Sequence, residues 1–495
     1  MKPKVFYITL IILSCFNACD KKQVKQIPAD VKKVILLTAD KGKELEEAIQ
    51  YYQNQEDTLK LEALYFLIRN MDQHYSEGYQ LKTDTSENAS FNTNSMGLLN
   101  QATPFRYKDI DTITSKFLID HIEFAFKVWA NPWSKHFHFD FFCEYILPYR
   151  VNTEPIQNWQ AAYYQQFMPL VESLKTNDPL LISEKINSDL QEWFGNTFEF
   201  EKSNDILPLL GPMHLLNLKN GGCPDMVNLA TYALRSVGLP VAVDFTPYWA
   251  ASTGGHFWNY TFDSLRYGYS FMGAEENYES HTISKEMAKV YRIMYSKQPN
   301  AIAIRMAEDK ITIPEFRNPY IMDVTKYYVK TANISLVADS QYNGQIAYLC
   351  VFNGMKWRPV DATLIIKDSM HFNDVGTGTV CLPMIDSDQK LRPLSEALLL
   401  DKNGALYVLS PKKTQKIQLT ISNKMRYLAL RKGKKYTLFY WENRWHKIES
   451  RYATNNDKIT FEDVPLNALL IMVPEYSQGK ERIFTIGTNK DILYW

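Results

Sequence analysis

The stretch Gly221-Gly-Cys-Pro-Asp-Met-Val-Asn-Leu-Ala-Thr-Tyr-Ala-Leu-Arg-Ser-Val-Gly-Leu-Pro240 holds the residues best suited to chemistry. Two glycines lead into Cys223, Pro224 suits a first helical turn, and Asp225 lies in that turn. Val227, Ala230, Leu234 and Val237 follow at helical spacing, and Gly238 and Pro240 mark the end. This pattern predicts a helix with Cys223 at its N-terminus. Unpaired N–H groups and the helix dipole there favour a thiolate, the nucleophilic form, and can hold the oxyanion of an attacked carbonyl. Asp225 offsets part of the thiolate benefit. Val241–Thr246 then reads as a strand, and after a loop containing Gly254-Gly255, His256–Phe262 reads as another. A thiol at a helix start and an imidazole on a neighbouring strand form a nucleophile–base arrangement. The bland alternatives are an inert buried thiol, a hydrogen-bonded core histidine, or an intact fold with degraded catalysis.

The elements around this pair set its context. With 495 residues the chain has length for about three domains. Residues 41–200 read as a helical N-terminal region: Leu45, Ala48, Ile49, Tyr52, Leu61, Leu64, Tyr65 and Ile68 recur at three- and four-residue spacing. Residues 83–97 are polar and read as a loop. Residues 201–328 form the predicted α+β core. Two β-modules follow, 329–425 and 426–495, suggested by a partial repeat. Tyr348–Trp357 lines up with Tyr436–Trp445, and Phe372–Val375 with Phe461–Val464, one residue out of step. Trp357 and Trp445 are either core tryptophans or platforms for a sugar ring.

Composition narrows the field. Lys+Arg and Asp+Glu are 55 each, which argues against a nucleic-acid partner and against a disordered chain. Aromatic residues make up 14%, fitting either large aromatic cores or ring-based ligand contact. Residues 1–19 carry two lysines, an apolar run too short to span a bilayer, and Phe16-Asn17-Ala18-Cys19. That ending resembles a lipobox, which implies removal of a signal peptide and lipid attachment at Cys19. Residues 20–40 would be a tether. The expected location is the cell envelope, on a membrane leaflet the sequence leaves open. Of the remaining cysteines, Cys350 and Cys381 lie in one module and could pair. His136, His138 and Asp140 alternate, but their phenylalanine neighbours favour a half-exposed strand or turn over a metal site. Glu144, Arg150 and Glu154 read as a salt-bridged brace or as a cleft lining.

The segments GGCPDMVNLATYALRSVGLPVAVDF and GGHFWNYTFD resemble the transglutaminase-like superfamily, whose core shares its plan with papain-type cysteine peptidases. The whole chain also resembles secreted transglutaminase-like lipoproteins of Bacteroidetes-type bacteria, through Tyr65–Met71, Phe142–Arg150, Glu154-Pro155 with Trp159, and Gly479–Phe484. The resemblance implies Cys223 as nucleophile and His256 as general base, with no metal or organic cofactor. It also implies an Asp about fifteen residues after the histidine, where this chain reads Tyr269-Ser-Phe-Met-Gly-Ala-Glu-Glu276. A hairpin turning near Leu265-Arg266 would set Glu275 opposite His256. Asp263, seven residues along the strand, is the weaker alternative. The expected reaction is thiol acyl transfer on amide bonds of peptides or glycopeptides, with water the favoured acceptor. The competing expectation is a non-catalytic envelope protein binding glycans or glycopeptides through the aromatic surfaces of its β-modules.

Overall fold

The computed structural model describes residues 26–38, 41–81, 89–90, 102–196, 209–307, 310–423, 429–487 and 491–495. Cys19 with its expected signal peptide, and most of the polar 83–97 stretch, lie outside these residues. Among the described residues no helix is long and apolar enough to cross a membrane.

The first helix, Ala29–Leu37, begins inside the expected tether. Val31 and Val34 are buried, so this segment joins the fold. The helical spacing from Leu45 to Ile68 divides between two helices: Glu56 adopts a left-handed backbone after Gly42–Gln55, and the Asp57 side chain caps Thr58–Asn70 by accepting from Lys60 N–H. Ser115–Trp129 and Phe139–Tyr145 complete a core that also takes in Phe262 and Tyr295. Tyr75–Leu81 and Ala102–Lys108 pair as antiparallel strands, so this region is not purely helical. His136 falls in a turn and His138 just ahead of a helix, which removes the strand face they would have shared with Asp140.

A second core is centred on Cys223–Ser236. Tyr163, Phe167, Ile182 and Ile186 belong to it, so the helices Gln160–Leu174 and Pro179–Trp193 pack here rather than with the first helices. The α+β core therefore starts well before residue 201. Its sheet is antiparallel throughout, ordered Ile321–Asp323, Tyr291–Ile293, Val241–Thr246, His256–Phe262 and Gly268–Phe271.

Two β-modules of the same strand order follow. In the first, Thr331–Val337 pairs with Ser369–Gly376 beside a sheet built on Ile346–Asn353 and Thr379–Ser387. In the second, Lys412–Ser422 pairs with Lys458–Leu466 beside a sheet built on Lys435–Glu442 and Leu470–Pro474. Lys412–Ser422, expected in the first module, thus belongs to the second. Cys350 and Cys381 are free: Cys381 pairs with Val351, next to Cys350, and alternation sends the two thiols into different cores.

Candidate active site

Cys223 is the first residue of its helix, as expected from the glycine pair and Pro224. Asp225 reaches back along the turn, accepting from Gly222 N–H at 3.1 Å and from Leu210 N–H at 3.1 Å. Burial raises its carboxyl to about 6. Asp225 therefore satisfies backbone donors around the cysteine, a role beyond the charge penalty expected of it. His256 begins its strand and pairs with Thr246. Gly255 is required just before it, because a Cβ there would lie 2.4 Å from the Pro247 carbonyl oxygen. Asn259, on the same strand, donates to Val227 O and Thr231 Oγ1, both at 3.0 Å, locking the strand to the cysteine helix. The outcome is a contact of 3.8 Å between Cys223 Sγ and His256 Nδ1.

Residues 173–272, which contain both groups, match the family model of the transglutaminase-like superfamily. This stretch is a transglutaminase-like domain. No curated protein matches the sequence. Among solved structures, red sea bream transglutaminase is similar over 86% of this chain and 78% of its own, at 9% identity and a TM-score of 0.23. At that TM-score the likeness adds nothing to the family match.

The transglutaminase-like core departs from expectation at its third member. The strand after the histidine strand ends at Phe271, which pairs with Asn259, and the chain then closes a tight turn between Met272 and Glu276. Glu275 lies exposed in that turn, its N–H bonded to Met272 O. The strand stops before it reaches the level of His256, so Glu275 does not come to lie opposite the imidazole. Asp263 caps the far end of the hairpin, accepting from Leu265 N–H at 2.9 Å and Tyr267 N–H at 2.8 Å. Among the described residues no carboxylate hydrogen-bonds or ion-pairs with His256.

The buried acid of the neighbouring strand is also committed elsewhere. Asp244, directly across from Trp258, takes both arms of Arg292 at 2.8 Å and accepts from Tyr328 O–H at 2.5 Å. Tyr328 in turn accepts from Trp258 Nε1 at 2.9 Å. Sequence reasoning passed over this acid, although an Asp in the apolar run Val241-Ala-Val-Asp-Phe was a signal that it had a buried partner.

Aromatic rings surround the imidazole instead. Trp249 stacks on it with centroids 5.8 Å apart and planes at 28°, and Trp258 lies 5.9 Å away. Burial, with smaller contributions from His281 and Lys285, lowers the His256 pKa to about 4. The ring is therefore neutral at pH 7, the form that can accept a thiol proton.

Other candidates resolve into scaffolding. Arg150 pairs with Asp109 at 3.0 Å and donates to Ser76 Oγ and Glu154 O. Glu154 accepts from Val151 and Asn152 N–H and from the Tyr232 hydroxyl of the cysteine helix. Glu144 accepts from Tyr295 and Ser296 N–H. This is the brace reading, except that the ion pair of Arg150 is with Asp109 rather than with either glutamate. Trp357 and Trp445 are half-buried in a four-ring cluster with Phe352 and Trp441, in edge-to-face pairs 5.2–5.4 Å apart. They form the seam between the β-modules. Among the described residues no group of His, Cys, Asp and Glu is arranged to hold a metal.

Proposed function

We propose that the protein is an exported thiol hydrolase or acyltransferase acting on amide bonds of peptides or glycopeptides through Cys223 and His256. The single observation that carries this reading is the 3.8 Å Sγ–Nδ1 contact at a helix N-terminus inside a transglutaminase-like domain. His256 Nδ1 takes the Cys223 proton as Sγ attacks the amide carbonyl. The tetrahedral oxyanion faces the backbone N–H groups of the helix start. Collapse breaks the C–N bond, and the proton held by His256 leaves with the amine. A thioester remains, which water resolves after giving a proton to the same imidazole. Neither step draws on a cofactor. With no acid on His256 among the described residues, the site works as a dyad.

Export and anchoring through lipid on Cys19 belong to this proposal and rest on the N-terminal sequence. The glycan-binding alternative draws no support from Trp357 and Trp445, whose rings each pack against Phe352 and Trp441.

The test is turnover of peptide and glycopeptide pools read by mass spectrometry, with an acyl adduct sought on Cys223. Cleavage or amine exchange abolished by Cys223→Ala, and lowered on the order of a hundredfold or more by His256→Ala, is the expected result. Turnover that survives Cys223→Ala would refute the reading.

A further inference from the structure

We propose that Asn353, supplied by the first β-module, is a positioning residue for His256, acting through Trp249; the inference rests on the dyad reading above. Asn353 is the last residue of Ile346–Asn353 and its side chain is 4% exposed. That one amide ties both ends of the loop preceding the histidine. Its Nδ2 donates to Trp249 O at 2.9 Å and to Gly254 O at 3.0 Å, and its Oδ1 accepts from Gly254 N–H at 3.1 Å. Trp249 N–H closes the loop on Gly254 O at 3.0 Å. The Nδ2 group meets a carbonyl at each end of the loop, and the bond to Trp249 O is buried.

The loop has two outputs. Gly254 leads through Gly255 directly into His256, and Trp249, 5% exposed, lays its indole on the imidazole. In a Cys-His-acid site the acid fixes the plane of the ring through the far nitrogen. Here the described residues offer no such acid, and the ring meets the thiol at one edge, the Trp249 indole stacked on its face and Trp258 tilted against it. Asn353 holds the carbonyl of Trp249 itself and, at Gly254, the far end of the loop. The orienting job thus passes from a carboxylate within the core to an amide contributed by another module.

Alkylation of Cys223 by iodoacetamide, followed across pH 4–9 in the full chain, tests this without knowledge of the substrate. Asn353→Ala should slow neutral-pH alkylation roughly tenfold to a hundredfold and shift the profile towards that of an unassisted thiol, near pH 8.5. Asn353→Asp, equal in size but without donors, should do the same. Trp249→Phe should keep the wild-type profile, and Trp249→Ala should lose it. A purely structural Asn353 would lower the melting temperature and leave the profile in place, so a folded Asn353→Ala or Asn353→Asp with wild-type rate and profile overturns the proposal. Trp249→Phe as slow as Trp249→Ala also overturns it. Should Asn353→Ala not fold, Asn353→Asp and the two Trp249 variants decide by the same criteria. Failure of wild-type Cys223 to react would instead strike the dyad itself, which keeps the two failures distinguishable.

Discussion

The two β-modules repeat one plan and differ in what they touch. Their central hairpins have bulges at the same place, after Leu349 in one and after Leu438 in the other. Matching the bulges sets Phe352 against Trp441 and Asn353 against Glu442, while Trp357 still matches Trp445 because the second hairpin turns one residue sooner. The four rings then contact as a two-fold would require: Phe352 meets Trp445 as Trp441 meets Trp357. At the next position the copies part. Asn353 is buried and holds the histidine loop, whereas Glu442 is half-buried and pairs with Lys413 at 2.8 Å within its own module. One copy has been drawn into the site and the other holds that copy in place.

This contrast can be broken at several points. The largest effect should come from the seam. Trp441→Ala should cost about 3–5 kcal/mol in denaturant unfolding while leaving Cys223 alkylation unchanged in the folded fraction, since it opens a cavity in the core of the seam. A marked change in thiol reactivity there would mean the second copy reaches the site after all. Trp357→Ala and Trp445→Ala, each half-buried, should cost less, about 1–3 kcal/mol, and by nearly equal amounts if the seam is two-fold. Very unequal losses would remove the symmetry from the account.

The pH dependence sharpens the difference further. His256 can take up a thiol proton only when neutral, and burial lowers its pKa to about 4. Assisted alkylation should therefore persist at pH 5 and fall away as pH drops through about 4. In Asn353→Ala this assisted limb should be lost, with the rate following ionisation of an unassisted thiol near pH 8.5 instead. An unmoved limb would show that the loop does not govern the ring's surroundings. The smallest effect belongs to Glu442→Gln, at the matching position. It removes a largely exposed ion pair and should shift stability by under about 1 kcal/mol with the pH profile intact.

Much of the site was legible because its signals are local. The glycine pair, Cys223-Pro224 and the apolar stripe specify a helix start within a few residues, and short runs rich in apolar and aromatic residues mark the strands carrying Asp244 and His256. The parts that escaped are non-local. Glu275 was inferred by extending a hairpin whose strand in fact ends at Phe271, and where a strand stops depends on its neighbours: Asn187, from another helix, bonds Met272 O, Glu276 O and Ala274 N–H in that turn. Asn353 lies about a hundred residues from the loop it holds, and nothing in its own hairpin advertises that contact. The repeat was visible through its tryptophans, yet a gapless alignment slipped the first strand by one residue. In a β-strand that slip exchanges core and outer faces. The out-of-step match of Phe372 with Phe461 was the true register. Cys350 and Cys381 show the same limit: proximity in sequence and sheet does not reveal that their side chains point apart.

The central claim is that Cys223, with His256 against it, is the reactive thiol of this chain. Burial raises the other cysteines of the described fold: Cys381 to about 12, with Cys143 and Cys350 also pushed up. The direct measurement is competitive iodoacetamide labelling of the native protein at pH 7, with each cysteine quantified by peptide mass spectrometry. The account predicts labelling of Cys223 far ahead of Cys143, Cys350 and Cys381, with that lead lost in His256→Ala. Cys223 is itself buried at 8% exposure, so labelling of it no faster than of Cys143, Cys350 and Cys381, or untouched by His256→Ala, would contradict the account.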